Sequence, residues 1–450
     1  MNSNDLNDND GQPAVEATYD TVTAEAFEGP SSSSIFSALS AGPYRRFWFG
    51  SLASVGGTQL LIIGQGVLVF DLSGSEFLLG LAGAVTGIAT ILVTIFGGVV
   101  ADRVNKRGLM ILTSLTVSAL LFLLASIDAT EIVKVWHVIV IASIIGIVTG
   151  FDQPARLSFF PLLIEDRSQM MSAVALNSIL WQGTRIIVPA IGGFAIAFIG
   201  TYSIFYASSA GFFMMFLALL TLKPYEGEKT EGKNLLGQLW GGVQYIRRNR
   251  LFATLVPFTY CNFFFGLSYL QLIPVFSDAY GGQAGQALGF LLMSAGIGAV
   301  IGTISTGWFR STLPVGRLML SGSAMTAVMM IAFAVWTRFG PDPLGSANPV
   351  LSPMFFISAF LILVAAISNS IFLITSMTIL QLKVPVQLRG RVMGIHAMTF
   401  SLVAVGGLFM GGIAELTNVS FSVGISAIVL LIAVSFVFLT QPFMRNLRSH

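Results

Sequence analysis

Charged side chains are scarce in this chain of 450 residues. Only 10% of the residues are Asp, Glu, Lys or Arg, whereas 54% are hydrophobic. A soluble protein carries about 25% charged residues. The composition therefore excludes an ordinary soluble domain and predicts an all-α polytopic membrane protein, because long apolar runs cross a bilayer as helices.

Residues that build metal and redox centres are almost missing. Cys261 is the single cysteine, and the three histidines (His137, His396 and His450) are far apart in the sequence. An intramolecular disulfide and a cysteine metal cluster are therefore excluded. The chain also lacks the G-x-x-x-x-G-K-[ST] loop that cradles nucleotide phosphates. We expect no enzyme, no cofactor, no metal and no nucleic-acid partner.

Lys and Arg are absent from residues 1–44, which contain seven Asp and Glu residues and carry a charge of −7. The rest of the chain holds 23 basic and 14 acidic side chains, a net charge of +9. The acidic segment has no long apolar run and no basic start, so it does not resemble a signal peptide. We interpret residues 1–44 as a disordered cytoplasmic tail.

Long apolar runs, in contrast, are plentiful. A bilayer core needs about 20 apolar residues per helix, and twelve runs meet that length. The predicted spans, numbered 1 to 12, are 46–71, 77–101, 108–127, 134–152, 172–199, 201–222, 251–277, 285–308, 317–338, 353–380, 391–415 and 419–441. The turn between spans 5 and 6, Gly200-Thr201, is the shortest connection.

The distribution of basic residues predicts how these spans are oriented. With the N-terminus in the cytoplasm, 20 of the 23 basic residues fall on the cytoplasmic side, Lys134 and Arg338 fall outside, and Arg185 lies inside span 5. The positive-inside rule therefore favours twelve helices with both termini in the cytoplasm.

The longest gap between spans divides the chain into two halves. We predict a six-helix bundle at 45–222, a cytoplasmic linker at 223–250, a second six-helix bundle at 251–441 and a tail at 442–450. Within the linker, apolar residues from Leu235 to Ile246 recur at helical spacing before Arg247 and Arg248. This pattern predicts an amphipathic helix on the inner membrane surface; the alternative is a solvated linker.

A charged loop separates spans 2 and 3. Its sequence, Gly98-x-x-x-Asp102-Arg103-x-Asn105-Lys106-Arg107, resembles the signature G-x-x-x-D-[RK]-x-G-[RK]-[RK] of the major facilitator superfamily. Asn105 stands in place of the second glycine, and we expect it to adopt the left-handed backbone that Asn tolerates. The equivalent loop of the second half, around Gly307 and Arg310, lacks the Asp.

Span 5 contains a second motif. Its Pro189-x-x-Gly192-Gly193 resembles the core of the signature G-x-x-x-G-P-x-x-G-G found in exporters and antiporters of that superfamily, with Thr184 and Val188 in place of its first glycines. Further segments extend the similarity to residues 44–440. They are Phe47-Trp48-Phe49-Gly50, Leu72-Ser73-Gly74-Ser75, Phe151-Asp152-Gln153-Pro154-Ala155-Arg156, Ala175-Leu176-Asn177-Ser178 and Leu388-Arg389-Gly390-Arg391.

Together these segments resemble the transmembrane secretion effector branch, which includes enterobactin exporters and macrolide efflux proteins. The resemblance implies two pseudo-symmetric six-helix bundles that alternate in access to the two membrane faces. It also implies that Asp102 meets the N-terminal end of span 11, just after Arg389 and Arg391, where a helix dipole favours an anion. We expect Gly98, Asp102, Arg103, Lys106, Arg107, Arg389 and Arg391 to form this conformational switch, with Pro189, Gly192 and Gly193 as the motif of span 5.

Arg185 is the strongest candidate for substrate contact. An unpaired charge in the middle of a membrane span costs at least about 2.5 kcal/mol, so such a residue normally faces a cavity or a partner. The alternative is a clamp on backbone carbonyls near Pro189. Other polar residues on cavity-lining spans are candidates too, although each alone is more often a helix–helix hydrogen bond. They are Gln182, Gln59, Gln65, Asn262, Gln271 and Asn369.

Proton coupling follows from the family resemblance, yet no Asp or Glu lies at the middle of a predicted span. A midplane carboxylate is the usual proton relay. We name Asp152 and Glu415, near opposite ends of their spans, as possible carriers. His396, near the inner end of span 11, could titrate as well; the alternative is a plain interfacial histidine. Export without protons stays open.

These observations predict a secondary transporter of the inner membrane that exports a small organic molecule, such as a drug, a siderophore or another metabolite, most simply as a monomer. An importer or an uncoupled facilitator of the same fold is the alternative within transport. A channel is disfavoured by the two-fold layout. A scaffold or binding protein that does not transport is the alternative from another class.

Overall fold

The computed structural model of the chain describes residues 36–164, 166, 169–223, 235–280, 284–309, 313–340, 352–384, 392, 395–396 and 398–447. Most of the acidic tail, part of the linker and the predicted switch residues Arg389 and Arg391 therefore lie outside the described residues. The side chains of Gly98, Asp102, Arg103 and Gln182 lie outside them as well, although their backbones are helical.

Helices account for every apolar run, because a backbone in lipid must satisfy its hydrogen bonds internally. The first half contains α1 (Gly42–Ser73), α2 (Glu76–Arg103), α3 (Lys106–Ala129), α4 (Val135–Phe159), α5 (Met170–Ile199) and α6 (Thr201–Leu220). The linker contains α7 (Leu235–Arg248). The second half contains α8 (Arg250–Asp278), α9 (Ala284–Phe309), α10 (Val315–Phe339), α11 (Pro353–Lys383), α12 (Thr399–Leu416) and α13 (Val419–Thr440), followed by α14 (Pro442–Arg445).

The twelve-helix prediction agrees with this architecture. In the described part of the chain, eleven helices are long and apolar enough to cross a membrane, and α12 supplies a shorter apolar helix in the position of span 11. The predicted amphipathic helix of the linker is α7. Gly200, with φ of 110°, forms the one-residue turn between α5 and α6, a backbone conformation that glycine adopts without strain.

Short polar side chains begin several helices. Asn105 Oδ1 accepts a hydrogen bond from the Gly108 amide at 3.1 Å, Ser352 Oγ accepts one from Phe355 at 3.2 Å, and Asn418 Oδ1 accepts one from Phe421 at 2.8 Å. The expectation of a left-handed Asn105 was wrong, since its φ is −62°. Asn105 replaces the glycine because its side chain satisfies a free amide at the start of α3.

Two helices differ from the predicted spans. α4 continues to Phe159 instead of ending at 152, so Asp152, Pro154 and Arg156 lie inside the helix. α8 is α-helical to Cys261, continues as a π-helix over Asn262–Leu267 and a 3₁₀ segment over Ser268–Leu272, and ends as an α-helix. Such interruptions of α-helical winding often occur at functional sites.

Within each half, the helices pack against one another. In the first half, α1 packs on α6 and α5, α2 on α4, and α3 on α6 and α4. In the second half, α11 packs on α9 and α10, and α10 packs on α13. The halves meet where α2 packs on α12 and where α5 packs on α9.

The two ends of the bundles are distinguished by the linker. One end of the bundles carries the turn at residues 103–106, the end of α6 and the linker, and we call it the linker face. We call the opposite end the distal face. Arg46 and Arg107 both bind carbonyl groups at the end of α6, which brings these connections to one face. A buried apolar cluster joins Val67 and Leu79 of the first half to Leu272, Ile273 and Met410 of the second.

Candidate functional site

The halves approach most closely along two glycine-lined seams. In the seam between α2 and α12, a Cβ added to Gly80 would lie 2.6 Å from the carbonyl oxygen of Gly407, and one added to Gly87 would lie 2.8 Å from Cβ of Ala404. Real Cβ atoms are not found so close to other atoms, so glycine is required for this contact. Gly80 lies near the distal end of α2, and a Cβ added to Gly411, near the distal end of α12, would collide with the carbonyl oxygen of Glu76, so the seam closes the distal face.

The seam between α5 and α9 is built by the motif of span 5. A Cβ at Gly193 would lie 2.5 Å from Cα of Gly289, and one at Gly285 would lie 2.7 Å from Cα of Ala197. Gly192 instead faces α1, where its Cβ would lie 2.9 Å from Leu60. Gly192 and Gly193 each permit close packing against a different neighbouring helix.

Arg185 lies two turns before Gly193 in α5. Its side chain is partly buried and takes part in an interaction. The hydroxyl of the preceding Thr184 donates to the carbonyl of Leu180 at 2.8 Å, so that polar group is satisfied within the helix. Arg185 is therefore a charged group inside a membrane span, on the helix that forms one of the two seams.

The other predicted substrate contacts do not share one surface. Asn262 is fully buried, and its Nδ2 donates to Ser323 Oγ at 2.7 Å, which ties α8 to α10. Gln271 instead lies in the seam, where its Oε1 would be 2.6 Å from a Cβ at Gly83. Gln65 and Asn369 are buried in α1 and α11, whereas Gln59 is partly exposed.

Asp152 belongs to a buried polar network near the linker end of α4. Its Oδ2 accepts from Arg156 Nη2 at 3.0 Å and from Nε at 3.1 Å, and its Oδ1 accepts from Thr113 at 2.8 Å. Arg156 Nη1 donates to Ser51 at 3.1 Å and to Ser54 at 3.2 Å. An ion pair with two hydrogen bonds to one carboxylate oxygen and this many further hydrogen bonds satisfies the charges that burial would otherwise penalise.

Sequence reasoning missed the role of Arg156. We counted it among the basic residues of a cytoplasmic loop, but it is buried inside α4. The spacing of four residues between Asp152 and Arg156 places both side chains on one helical face, and this signal was present in the sequence.

A small polar cavity adjoins the network. Thr113, Ser114, Asp152, Gln153 and Trp181 are among its lining residues. The Ser114 hydroxyl is buried without a hydrogen-bond partner among the described residues. A polar space of this kind suits water, which would reach the Asp152 carboxylate directly.

Only part of the predicted switch can be located. Arg107 Nε donates to the carbonyl of Leu219 at 2.8 Å, and its Nη2 donates to Leu220 at 3.1 Å. Both are carbonyls at the end of α6, where a cation is favourable. Arg107 therefore joins α3 to α6 within the first half, and Lys106 begins α3.

The two remaining candidates for proton transfer occupy different environments. His396 is buried, and its Nδ1 has no hydrogen-bond partner among the described residues. Glu415 is exposed at the distal face, where its Oε2 accepts from Ser75 Oγ at 2.9 Å and from the Phe77 amide at 3.3 Å. Ser75 and Phe77 belong to the other half of the molecule.

Comparisons with known proteins agree with this geometry. The sequence profile described as "transmembrane secretion effector" matches residues 33–447. An uncharacterized MFS-type transporter of Bacillus subtilis (strain 168), YfiS, is 26% identical over 72% of this chain and 75% of its own length. The enterobactin exporter EntS of Escherichia coli O1:K1 is 23% identical over 90% of this chain and 93% of its own.

Solved structures show the same fold. A mutant of the nucleoside transporter NupG matches with a TM-score of 0.67 and 14% identity, over 88% of this chain and 99% of its own. A bacterial homolog of the human lysosomal transporter Spinster, solved in an inward-facing and unoccupied conformation, matches with a TM-score of 0.66 and 16% identity. That match covers 92% of this chain and 99% of the other.

Proposed function

Since the chain belongs to the transmembrane secretion effector family of major facilitator transporters, we propose that it exports a small organic molecule across the cytoplasmic membrane by alternating access. The observation that carries this proposal is the pair of glycine-lined seams, which join the two halves at the distal face. Two bodies in contact at one face are suited to rock apart there while closing at the other.

The orientation of the protein in the membrane determines which side of the membrane the closed distal face is on. Because the sequence pattern assigns 20 of the 23 basic residues to the cytoplasmic side, we place the linker face and both termini in the cytoplasm. The seams would then close the external face, the arrangement expected of an inward-facing conformation. An exporter loads its substrate in this state. The name of the relative EntS, an enterobactin exporter, supports the same direction.

Arg185 is our candidate for recognition of the substrate. A guanidinium in the middle of a membrane span is costly to bury and is usually retained for a polar or anionic partner. Gln59 and Gln182, on α1 and α5, are candidates for neighbouring contacts. Asn262 and Gln271 are occupied with helix packing, so we assign them a smaller part.

Proton antiport is the coupling mode that we propose, with Asp152 as the carrier. Asp152 adjoins a cavity suited to water and is paired with Arg156. His396 and Glu415 are the alternatives. Import, uncoupled facilitation and a role without transport are the competing functions.

The experiment that tests this function is a metabolite comparison in a strain from which the gene is deleted. We expect at least one small organic molecule to accumulate in the cells and to fall in the medium, with both levels restored by the intact gene. Unchanged levels, together with unchanged sensitivity to a panel of drugs, would contradict export. A fall inside the cells would indicate import.

A further inference from the structure

Glu415, in the second half, makes a charged contact with the start of α2, in the first. Glu415 is the penultimate residue of α12, in the second half, and Ser75 directly precedes α2, in the first. The two residues are 340 positions apart in the sequence. Because the two residues belong to opposite halves, separation of the halves at the distal face would break this hydrogen bond.

Ser75 and Glu415 each accept a hydrogen bond from a different free backbone amide in the first turn of α2. Ser75 Oγ accepts from the Leu78 amide at 3.2 Å, which is the usual action of a residue that precedes a helix. Glu415 accepts from the Phe77 amide at 3.3 Å and from the Ser75 hydroxyl at 2.9 Å. A carboxylate from one half thus caps a helix of the other, at the positive end of the helix dipole.

We propose that Glu415 is the external latch of the transporter, stabilising the closed distal face by capping α2 from the opposite half. This inference rests on the alternating-access cycle proposed above. When the distal face opens, α2 loses a cap and keeps only the one that Ser75 supplies. Glu415 is a gating residue in this account, which leaves proton transfer to Asp152.

The antiparallel arrangement of α2 and α12 suggests a second contact, equivalent to the latch, at the opposite face. α2 and α12 pack against each other and run antiparallel, so the end of each helix lies beside the start of the other. The family resemblance predicts that Asp102, near the end of α2, meets the start of α12 at the linker face. Glu415 at the end of α12 performs the reciprocal contact at the distal face. In the proposed rocking motion, opening one face would break its cap while closing the other face would form the second, so each cap would stabilise one conformation.

The test measures the distance between the two halves at the distal face. Spin labels are attached at Thr130→Cys, in the first half, and Phe339→Cys, in the second, in a Cys261→Ser background. Both positions are exposed at the distal face and do not contact Glu415. The full-length protein is reconstituted into lipid without substrate, so the result does not depend on knowing what is transported.

We expect Glu415→Ala to raise the population with a long distance by about threefold to tenfold, the range for loss of one helix cap. Ser75→Ala should raise it less, because water can hydrate the exposed carboxylate. Glu415→Gln should stay close to the parent, because its amide oxygen can still accept both hydrogen bonds. Parent-like distances in this variant would also show that substitution at position 415 does not by itself cause misfolding.

Asp128→Ala is the matched control. Asp128 accepts a hydrogen bond from Thr201, the first residue of α6, at 2.6 Å, also at the distal face but within one half. Its loss should leave the distances unchanged. An unchanged distribution in Glu415→Ala would overturn the latch. If Gly80→Leu, which forces the α2–α12 seam apart, also fails to produce the long distance, the alternating-access proposal fails with it.

Discussion

Asp152 and Arg156 show how far a single residue can be interpreted from its neighbours in the sequence. The position of Asp152 near the end of a span was enough to select it as a functional candidate. Arg156 was assigned to the loop because hydropathy falls at Gln153 and Pro154, and hydropathy alone cannot show that the helix continues. The hydroxyls of Ser51, Ser54 and Thr113, which make a buried charge tolerable, come from other helices.

The Asp152–Arg156 pair should be essential for folding stability. We expect Arg156→Met to lower the free energy of unfolding by about 3–5 kcal/mol, because it leaves the Asp152 carboxylate buried and unpaired. The double variant Asp152→Asn with Arg156→Met should recover part of this loss. Thermal unfolding in detergent measures both, with Arg45→Met, at an exposed position near the start of α1, as the control. Equal stability of the single and double variants would contradict the pairing argument.

Arg185 should act on transport more than on folding. We expect Arg185→Ala to abolish export of the molecule found by metabolite comparison, while Arg185→Lys keeps part of it, because the charge remains without the guanidinium geometry. Export is measured in cells with matched amounts of protein in the membrane. Normal export by Arg185→Ala would remove this residue from the substrate path.

At the scale of elements, the number and order of the helices followed from apolar length and loop charge. The turn at Gly200 was predicted correctly. α3 instead begins at Lys106, two residues before the predicted span, because Asn105 caps the helix and does not adopt a left-handed backbone. The π-helical part of α8 could not be predicted, since Asn262–Leu267 is apolar like any other span. Its winding is decided by packing against α10, α12 and α13.

The glycines of α5 offer a matched pair of substitutions. We expect Gly193→Ala to force α5 and α9 apart, because its Cβ would meet backbone atoms of Gly289 that cannot rotate away. Gly183→Ala, in the same helix, meets nothing within 4 Å and should be neutral.

Thiol reactivity of Ala197→Cys, in the α5–α9 seam, reports this opening in a Cys261→Ser background. Its labelling rate should rise severalfold with Gly193→Ala and remain at the parent rate with Gly183→Ala. Equal rates in the two variants would show that the seam does not require glycine at position 193.

For the whole molecule, the sequence predicted the two bundles and their family correctly. It could not predict which face is closed, because that depends on contacts between residues hundreds of positions apart, such as Gly80 with Gly407. The candidate site was predicted only in part for the same reason. Gln271 was selected as a polar residue of α8, yet its neighbours at the seam come from α2 and α12.

Coupling to protons is a property of the whole cycle. In reconstituted vesicles we expect an imposed pH gradient to drive transport, and an uncoupler to stop it in the parent. Asp152→Asn should transport at a rate that no longer responds to the gradient, since the carrier can no longer ionise. Transport by the parent that is indifferent to the uncoupler would instead favour facilitated export.

The central claim is that the two halves rock about a site between them. It is tested most directly by measuring distances at both faces of the same protein. One spin-label pair is Thr130→Cys with Phe339→Cys at the distal face, and the other is Lys223→Cys with Arg317→Cys at the linker face, each with and without Gly193→Ala. We predict that the distal distance lengthens while the linker distance shortens in the same variant. Lengthening at the distal face with an unchanged or longer linker distance would mean that the halves merely separate, and would contradict alternating access.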